Sequence, residues 1–295
     1  MRKPGAPFFL FLCACLTLFI LQARPSSSQA IEVKDFDYHE GSETGPGHWG
    51  EMNENWAACK DGKDQSPIDI NSENIQVNQS IGSLITSYGI SHAIMHKSSH
   101  GIIVNWTEGA GSLSIDGKAY VLEQCHWHSP SEHKLFGERY PLELHMVHRS
   151  SDGDIAVISI MYQFGPPDPF LFKLMKFVAI LVTNDVVPAG LVPPPLMEIG
   201  CPYYRYIGSL TTPPCTEGVT WSLIQEVRFV SKKQVRMLRS AVHGENNARP
   251  IQPINGRTIF LYKPWAPEEH MKYFDRENLC RKSSILKWLL CHRHH

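Results

Sequence analysis

Gln124-Cys125-His126-Trp127-His128 closes one run of strand-forming residues, and Glu143-Leu144-His145-Met146-Val147 lies inside the next. In an extended chain, residues two apart point to the same side. His126 and His128 therefore project together, and Cys125 and Trp127 project away. On the second run Glu143, His145 and Val147 share one face, while Leu142, Leu144 and Met146 share the other. Two neighbouring strands of this kind aim three imidazoles at one point. Three histidines with an open fourth position form a catalytic zinc arrangement, whereas a structural site is closed by four protein ligands. Imidazole also suits copper and nickel, so ligand type alone does not select the metal. Gln124 lies two before His126 and Glu143 two before His145, each on its partner's face. Each is placed to accept its histidine's second ring proton and hold the ring.

The surroundings of these runs are also strand-like. Gly101–Trp106, Ser112–Ile115, Ala119–Leu122, Leu142–His148, Ile155–Tyr162 and Val219–Ile224 recur between turn signals, with hairpin turns expected at Asp116-Gly117 and Asp152-Gly153. Short consecutive strands joined by tight turns predict a largely antiparallel sheet. Helical pattern is scarcer. Pro169–Leu181 is one candidate, with proline at its start, and Ser231–Ser240 is another, with Ser231 as N-cap. Pro188–Pro195 reads as a proline-rich loop.

The chain has 295 residues, of which 42% are hydrophobic and 19% charged, the content of a globular protein. Lys plus Arg number 28 and Asp plus Glu 29, giving a net charge of −1, which excludes a strongly basic nucleic-acid binder. Arg2 and Lys3 precede an uncharged, mostly apolar run from Phe8 to Leu21, and small polar residues follow to Ala30. This predicts a signal peptide over 1–30, since the run is too short to span a bilayer. Its removal takes three basic residues and no acidic ones, leaving 25 basic against 29 acidic, a charge of −4. No later segment is long and apolar enough to span a membrane. Export makes Asn78-Gln79-Ser80 and Asn105-Trp106-Thr107 candidate N-glycosylation sites. Beyond Cys13 and Cys15, six cysteines remain, at 59, 125, 201, 215, 280 and 291, and counting cannot pair them. Residues 264–295 lack strand pattern and are expected to be a poorly ordered extension.

These residues resemble the α-class carbonic anhydrases. Gln124 to His133 (Gln-Cys-His-Trp-His-Ser-Pro-Ser-Glu-His) and Glu143 to His148 look like that family's zinc segments. His48-Trp49-Gly50, Gln65-Ser66-Pro67-Ile68-Asp69-Ile70, Gly208-Ser209-Leu210-Thr211-Thr212-Pro213-Pro214 and Asn247-Ala248-Arg249-Pro250-Ile251-Gln252-Pro253 agree in order. Tyr203-Tyr204-Arg205-Tyr206, Cys215-Thr216-Glu217-Gly218 and the export signal are most similar to the plant secretory branch. The resemblance implies a mostly β (α+β) fold. It would be a single domain over 31–263, built on a large twisted, mainly antiparallel sheet of about ten strands with short surface helices.

The resemblance further implies zinc-dependent, reversible hydration of carbon dioxide to bicarbonate and a proton, with one Zn2+ per chain held by His126, His128 and His145. Zinc lowers the pKa of bound water to about 7, and carbonic anhydrase is the reference case for that value. Thr211 matches the residue that orients the resulting hydroxide, and Glu132 its partner. Val147, Val157, Leu210 and Trp221 match the apolar substrate wall, and Thr212 a bicarbonate contact. His100 matches a proton shuttle, with His92 and His96 near it. Cys59 and Cys215 match the disulfide of secreted members; Cys125, which points away from the zinc face, is expected to be a buried thiol, and Cys201, Cys280 and Cys291 are left over. Glu51, Ser98 and Ile103 depart from the pattern at positions that order solvent, which bears on speed. The implied partner is CO2 or bicarbonate, with no nucleic acid and no transmembrane segment, and a dimer is compatible. The implied location is the secretory route and the apoplast, with the chloroplast stroma reached through that route as the alternative. A silent binding or storage relative is marked by a lost zinc histidine, and all three stand here. A zinc esterase would need its own general base.

Overall fold

A computed structural model describes residues 35–98, 101–198, 200–242 and 246–264. The expected signal peptide, His100, Cys280, Cys291 and residues 265–295 lie outside the described residues. The first strands are β1 (Asp69–Ile70), β2 (Ile75–Val77), β3 (Ile85–Thr86), β4 (Ser91–Ser98) and β5 (Gly101–Trp106). Then come β6 (Ser112–Ile115), β7 (Lys118–His128), β8 (Lys134–Leu135), β9 (Leu142–Ser150) and β10 (Ile155–Phe164). The last are β11 (Val186–Val192), β12 (Tyr203–Ser209), β13 (Glu217–Ile224), β14 (Arg228–Val230) and β15 (Ile259–Tyr262). Helices α1 (Trp49–Met52), α2 (Ala58–Asp61), α3 (Pro169–Leu181) and α4 (Lys232–Ala241) lie between them.

Among the described residues, thirteen strands form one sheet whose continuous path is β11-β4-β5-β7-β9-β10-β13-β12-β15-β2. That path has the expected ten strands. It is mainly antiparallel, with β10–β13, β10–β14 and β15–β2 parallel. A separate pair, β1 and β8, is parallel.

Alternation along the strands divides the interior in two. Leu142, Leu144 and Met146 of β9, with Ala156, Ile158 and Ile160 of β10, face a core that α3 and α4 cover through Leu171, Leu174, Val178, Val235 and Leu238. Val147, Val157, Met161, Tyr204, Tyr206 and Trp221 point to the other face and form a second core. Burying each such aliphatic side chain contributes about 1.5–3 kcal/mol. Helix α3 starts where its sequence says it should: Asp168 accepts the Leu171 N–H at 2.6 Å and Pro169 occupies the first turn. At α4, Ser231 and Gln234 close a reciprocal capping box.

One element departs from expectation. Pro188 lies inside a strand, not a loop: Val186–Val192 pairs with β4, with a register shift between Pro188 and Gly190. It is the outermost strand of the path. A residue without an N–H is tolerated at an edge, where the donor would face solvent.

Candidate metal centre and active site

The metal face owes its existence to a bulge. Tyr120 and Leu122 of β7 enter the helix-covered core, and so do Cys125 and Trp127. The phase of alternation therefore shifts by one between them. The register shows where: Leu122 pairs with His148, but Gln124 pairs with Val147, so Glu123 is the extra residue. Beyond it Gln124, His126 and His128 turn to the opposite face, where His126 stands directly opposite His145. Cys125 is fully buried on the helix-covered side, and burial pushes its thiol pKa up.

Each histidine is turned by a hydrogen bond from one ring nitrogen. His126 Nδ1 donates to Gln124 Oε1 at 2.8 Å, His128 Nδ1 to the Asn247 carbonyl at 2.6 Å, and His145 Nε2 to Glu143 Oε1 at 2.7 Å. The lone pairs left over belong to Nε2, Nε2 and Nδ1, and one ligand atom from each residue lies within 4.8 Å of the others. Burial holds His126 far below the usual imidazole range and His128 at about 4, so both are neutral at pH 7. His128 Nε2 is buried with no hydrogen-bond partner. An orphaned buried nitrogen where three imidazoles converge fits a divalent, borderline-soft cation.

Glu143 is the hub behind this triad. Its Oε1 also accepts from His133 Nδ1 at 2.8 Å and Ser159 Oγ at 2.6 Å, while Oε2 accepts the backbone N–H groups of Glu132 and His133 at 2.7 and 2.9 Å. Burial alone would raise its pKa, but His133 and His145 hold it far below the carboxylate range. The chain of donors continues outward. Tyr206 Oη lies 2.6 Å from His133 Nε2 and 2.7 Å from Ser66 Oγ, which accepts the Ser209 N–H at 3.0 Å. One direction satisfies every link: Ser209 to Ser66 to Tyr206 to His133 to Glu143.

Glu132 lies on the metal side of this hub, completely buried. Its Oε2 is 3.4 Å from His128 Nε2 and 3.9 Å from His145 Nδ1, and its Oε1 accepts the Arg249 N–H at 2.9 Å. Burial lifts its pKa to about 7 against the pull of His145, the Arg249 N–H and the Thr211 side chain. The Thr211 side chain favours the ionised form of this carboxylate, whose Oε2 has no hydrogen-bond partner among the described residues. Thr211 is itself buried, in a loop closed by the Cys215 N–H to the Thr212 carbonyl at 2.8 Å. Cys215 is bonded to Cys59, as expected, with Cα atoms 5.0 Å apart.

The apolar wall is a row across three strands. Val147 of β9 faces Val157 of β10, which faces Trp221 of β13. The Trp221 ring is centred 4.8 Å from His145, and its Nε1–H donates to the Ser209 carbonyl at 3.0 Å. Leu210 packs, half-buried, against the same cluster, and Thr212 is half-buried beside it.

Other residues singled out by sequence stand further off. Asn78 caps a turn, its Oδ1 accepting the Ser80 N–H at 3.0 Å. Asn105 sits mid-strand on the metal face, opposite Gln124, with Nδ2 3.4 Å from His96 Nδ1. Glu51 is exposed and bound to Lys60 at 2.7 Å. The sequence reading gave no role to Asn247, Ser159 or the Arg249 N–H, or to His133 as a bridge. A carbonyl or an amide N–H carries no residue signature, and only His133, next to Glu132, offered a visible cue.

The arrangement presents three converging histidine nitrogens, a buried carboxylate and a buried threonine beside them, and a row of apolar side chains. A family model for eukaryotic-type carbonic anhydrases matches residues 44–263. Alpha carbonic anhydrase 7 of Arabidopsis thaliana is 41% identical over 263 residues, covering 87% of this chain and 96% of the relative. Carbonic anhydrase Nec1 of Nesocodon mauritianus is 44% identical over 86% of this chain and 95% of its own. Dioscorin DB3L of Dioscorea polystachya is also 44% identical, over 86% of this chain and 94% of its own. Among solved structures, a dioscorin complexed with ascorbate superposes with a TM-score of 0.77 at 39% identity, covering 79% of this chain and all of that one. With its site, its sheet and nearly all of its described length accounted for, the chain belongs to the eukaryotic-type, α-class carbonic anhydrase family.

Proposed function

We propose that this protein catalyses the reversible hydration of carbon dioxide to bicarbonate and a proton, with Zn2+ on His126, His128 and His145. One observation carries the reading: three imidazoles converge, His128 and His145 buried and His126 half-buried, each with its opposite nitrogen already engaged. Bound zinc would supply Lewis acidity that brings the pKa of water to about 7, as in the family that defines the effect.

The remaining work falls to the chain. Thr211, donating a hydrogen bond to Glu132 in its ionised form, has only lone pairs left to offer, so it accepts a hydrogen bond from the attacking oxygen and fixes that oxygen's direction. The row Val147, Val157 and Trp221, with Leu210, provides an apolar wall for a small apolar substrate. The water oxygen bonds to the CO2 carbon, one C–O π pair moves to oxygen, and Thr212 is the residue we assign to contact the bicarbonate. The released proton needs a group near neutral pKa to outpace direct loss to solvent, and His100 has that chemistry.

The Cys59–Cys215 bridge supports an oxidising compartment, and with the apolar N-terminal segment it supports entry to the secretory route. Asn78 and Asn105 are the acceptors we assign for glycans.

Dioscorins among the relatives support a second reading, a binding protein on the same fold. CO2 hydration by the purified protein, with zinc measured on the same sample, separates the two. Hydration that vanishes on chelation and returns with zinc supports the enzyme. One bound zinc without hydration above buffer selects the binding protein.

A further inference from the structure

A groove of about 510 Å3 lies apart from the metal centre, lined by Tyr38, His39, Glu40, Lys134, Arg139 and Asn246, with Ala248, Pro250 and Ile251 completing it. Lys134 is fixed at its backbone, in register with Asp69 and donating to the Ile68 carbonyl. Lys134 and Arg139 are both half-buried. Yet among the described residues neither side chain makes an ion pair or a hydrogen bond. Each has lost part of its hydration without a protein counter-charge to offset the loss. Two in one groove also repel each other. Glu40, the only carboxylate among the described residues of the lining, is exposed and pairs with neither.

We propose that this groove binds a small oxyanion carrying two negative charges, held between the Lys134 ammonium and the Arg139 guanidinium, with the Asn246 amide as a further donor. Arg139 offers a planar fork of N–H groups suited to a carboxylate or phosphate edge, and Lys134 a point charge. The site would lie behind Glu132. Lys134 follows His133 directly, and Ala248 precedes Arg249, whose N–H holds Glu132 Oε1. The ligand would therefore rest on the two segments that position the buried carboxylate, and never on the metal ligands.

The test is calorimetric titration of the zinc-loaded protein with inorganic phosphate and, separately, with succinate. Phosphate can also reach a metal, so the variants carry the result. Lys134→Met/Arg139→Met should weaken the saturable binding by about tenfold or more, the loss of two charge-assisted contacts, with zinc content and CO2 hydration unchanged. Glu40→Gln should tighten it by roughly 2–5-fold, by removing a like charge at near-surface dielectric. Whichever probe shows this pair of opposite effects identifies the source, phosphate or dicarboxylate. Equal binding of both probes by the parent and the Lys134→Met/Arg139→Met protein, or no saturable binding of either by the parent, would overturn the proposal.

Discussion

Glu143 Oε1 accepts the Nε2 proton of His145 at 2.7 Å, which commits that ring to offering Nδ1 toward the metal position. The other two histidines are turned the opposite way and offer Nε2. A carboxylate behind a ligand fixes its tautomer and raises its basicity.

Glu143→Gln should therefore weaken zinc binding by roughly 10–100-fold. The amide cannot match its surroundings, because all five groups facing the two Glu143 oxygens donate. Whichever oxygen became the NH2 group, at least two of them would then meet it. Competition for zinc against a chelator of known affinity measures the effect, and an unchanged affinity would remove Glu143 from its assigned role.

Thr211→Ala should lower kcat/KM for CO2 by about 10²–10³-fold, the range for deleting one oriented hydrogen-bonding group at a reacting oxygen. Zinc content should stay at one per chain, since Thr211 is no metal ligand. Thr211→Ser, which keeps the hydroxyl, should recover most of the rate. If both variants lose the rate equally, the hydroxyl is not the active group and the defect is in the loop.

How much of this was visible beforehand depends on what a residue type can encode. The face shared by His126 and His128, and that shared by Glu143 and His145, followed from the period of two. Helix α3 was legible to the residue from the proline at its start; the Asp168 cap that fixes that start became visible only in the structure. The bulge at Glu123 was hidden, since one unpaired residue leaves no compositional mark. So was the strand through Pro188, where edge position overrode the residue's usual meaning. Strand β4 escaped notice because Ile94 is exposed while Ala93 and Met95 are buried, which blurs the alternation. The Asn247 carbonyl could not have been found, because every residue has one.

Reduction of the Cys59–Cys215 bridge should destabilise the fold. The cysteines are 156 residues apart, so the bridge closes a long loop in the unfolded chain. Chain-entropy reasoning sets an upper figure of about 5 kcal/mol, and native bridges typically contribute about 2–4. Urea unfolding of Cys59→Ser/Cys215→Ser against the oxidised parent measures it. A midpoint that does not move would show that the Arg249 guanidinium, bonded to the Cys59 and Ser66 carbonyls at 3.0 and 2.7 Å, is enough to brace this region.

Acid should destabilise the protein through a histidine that takes no part in the metal site. His148 is fully buried, with Nδ1 donating to the Ala156 carbonyl at 3.2 Å and Nε2 2.6 Å from the Tyr88 hydroxyl. Nε2 accepts there, so the ring is neutral, and burial lowers its pKa to about 4. The unfolded chain would protonate the same ring near 6.5. Unfolding therefore takes up a proton between these values. The stabilisation from the neutral ring is complete above about pH 6.5 and is lost as pH falls toward 4, by about 3 kcal/mol in all. His148→Gln removes this titration, so its stability difference from the parent should shift by up to about 1.4 kcal/mol per pH unit between pH 6 and 4.5. Urea unfolding of both proteins across that range gives the slope. A difference independent of pH would mean that the His148 ring protonates in the folded protein as readily as in the unfolded one, and that acid sensitivity originates elsewhere.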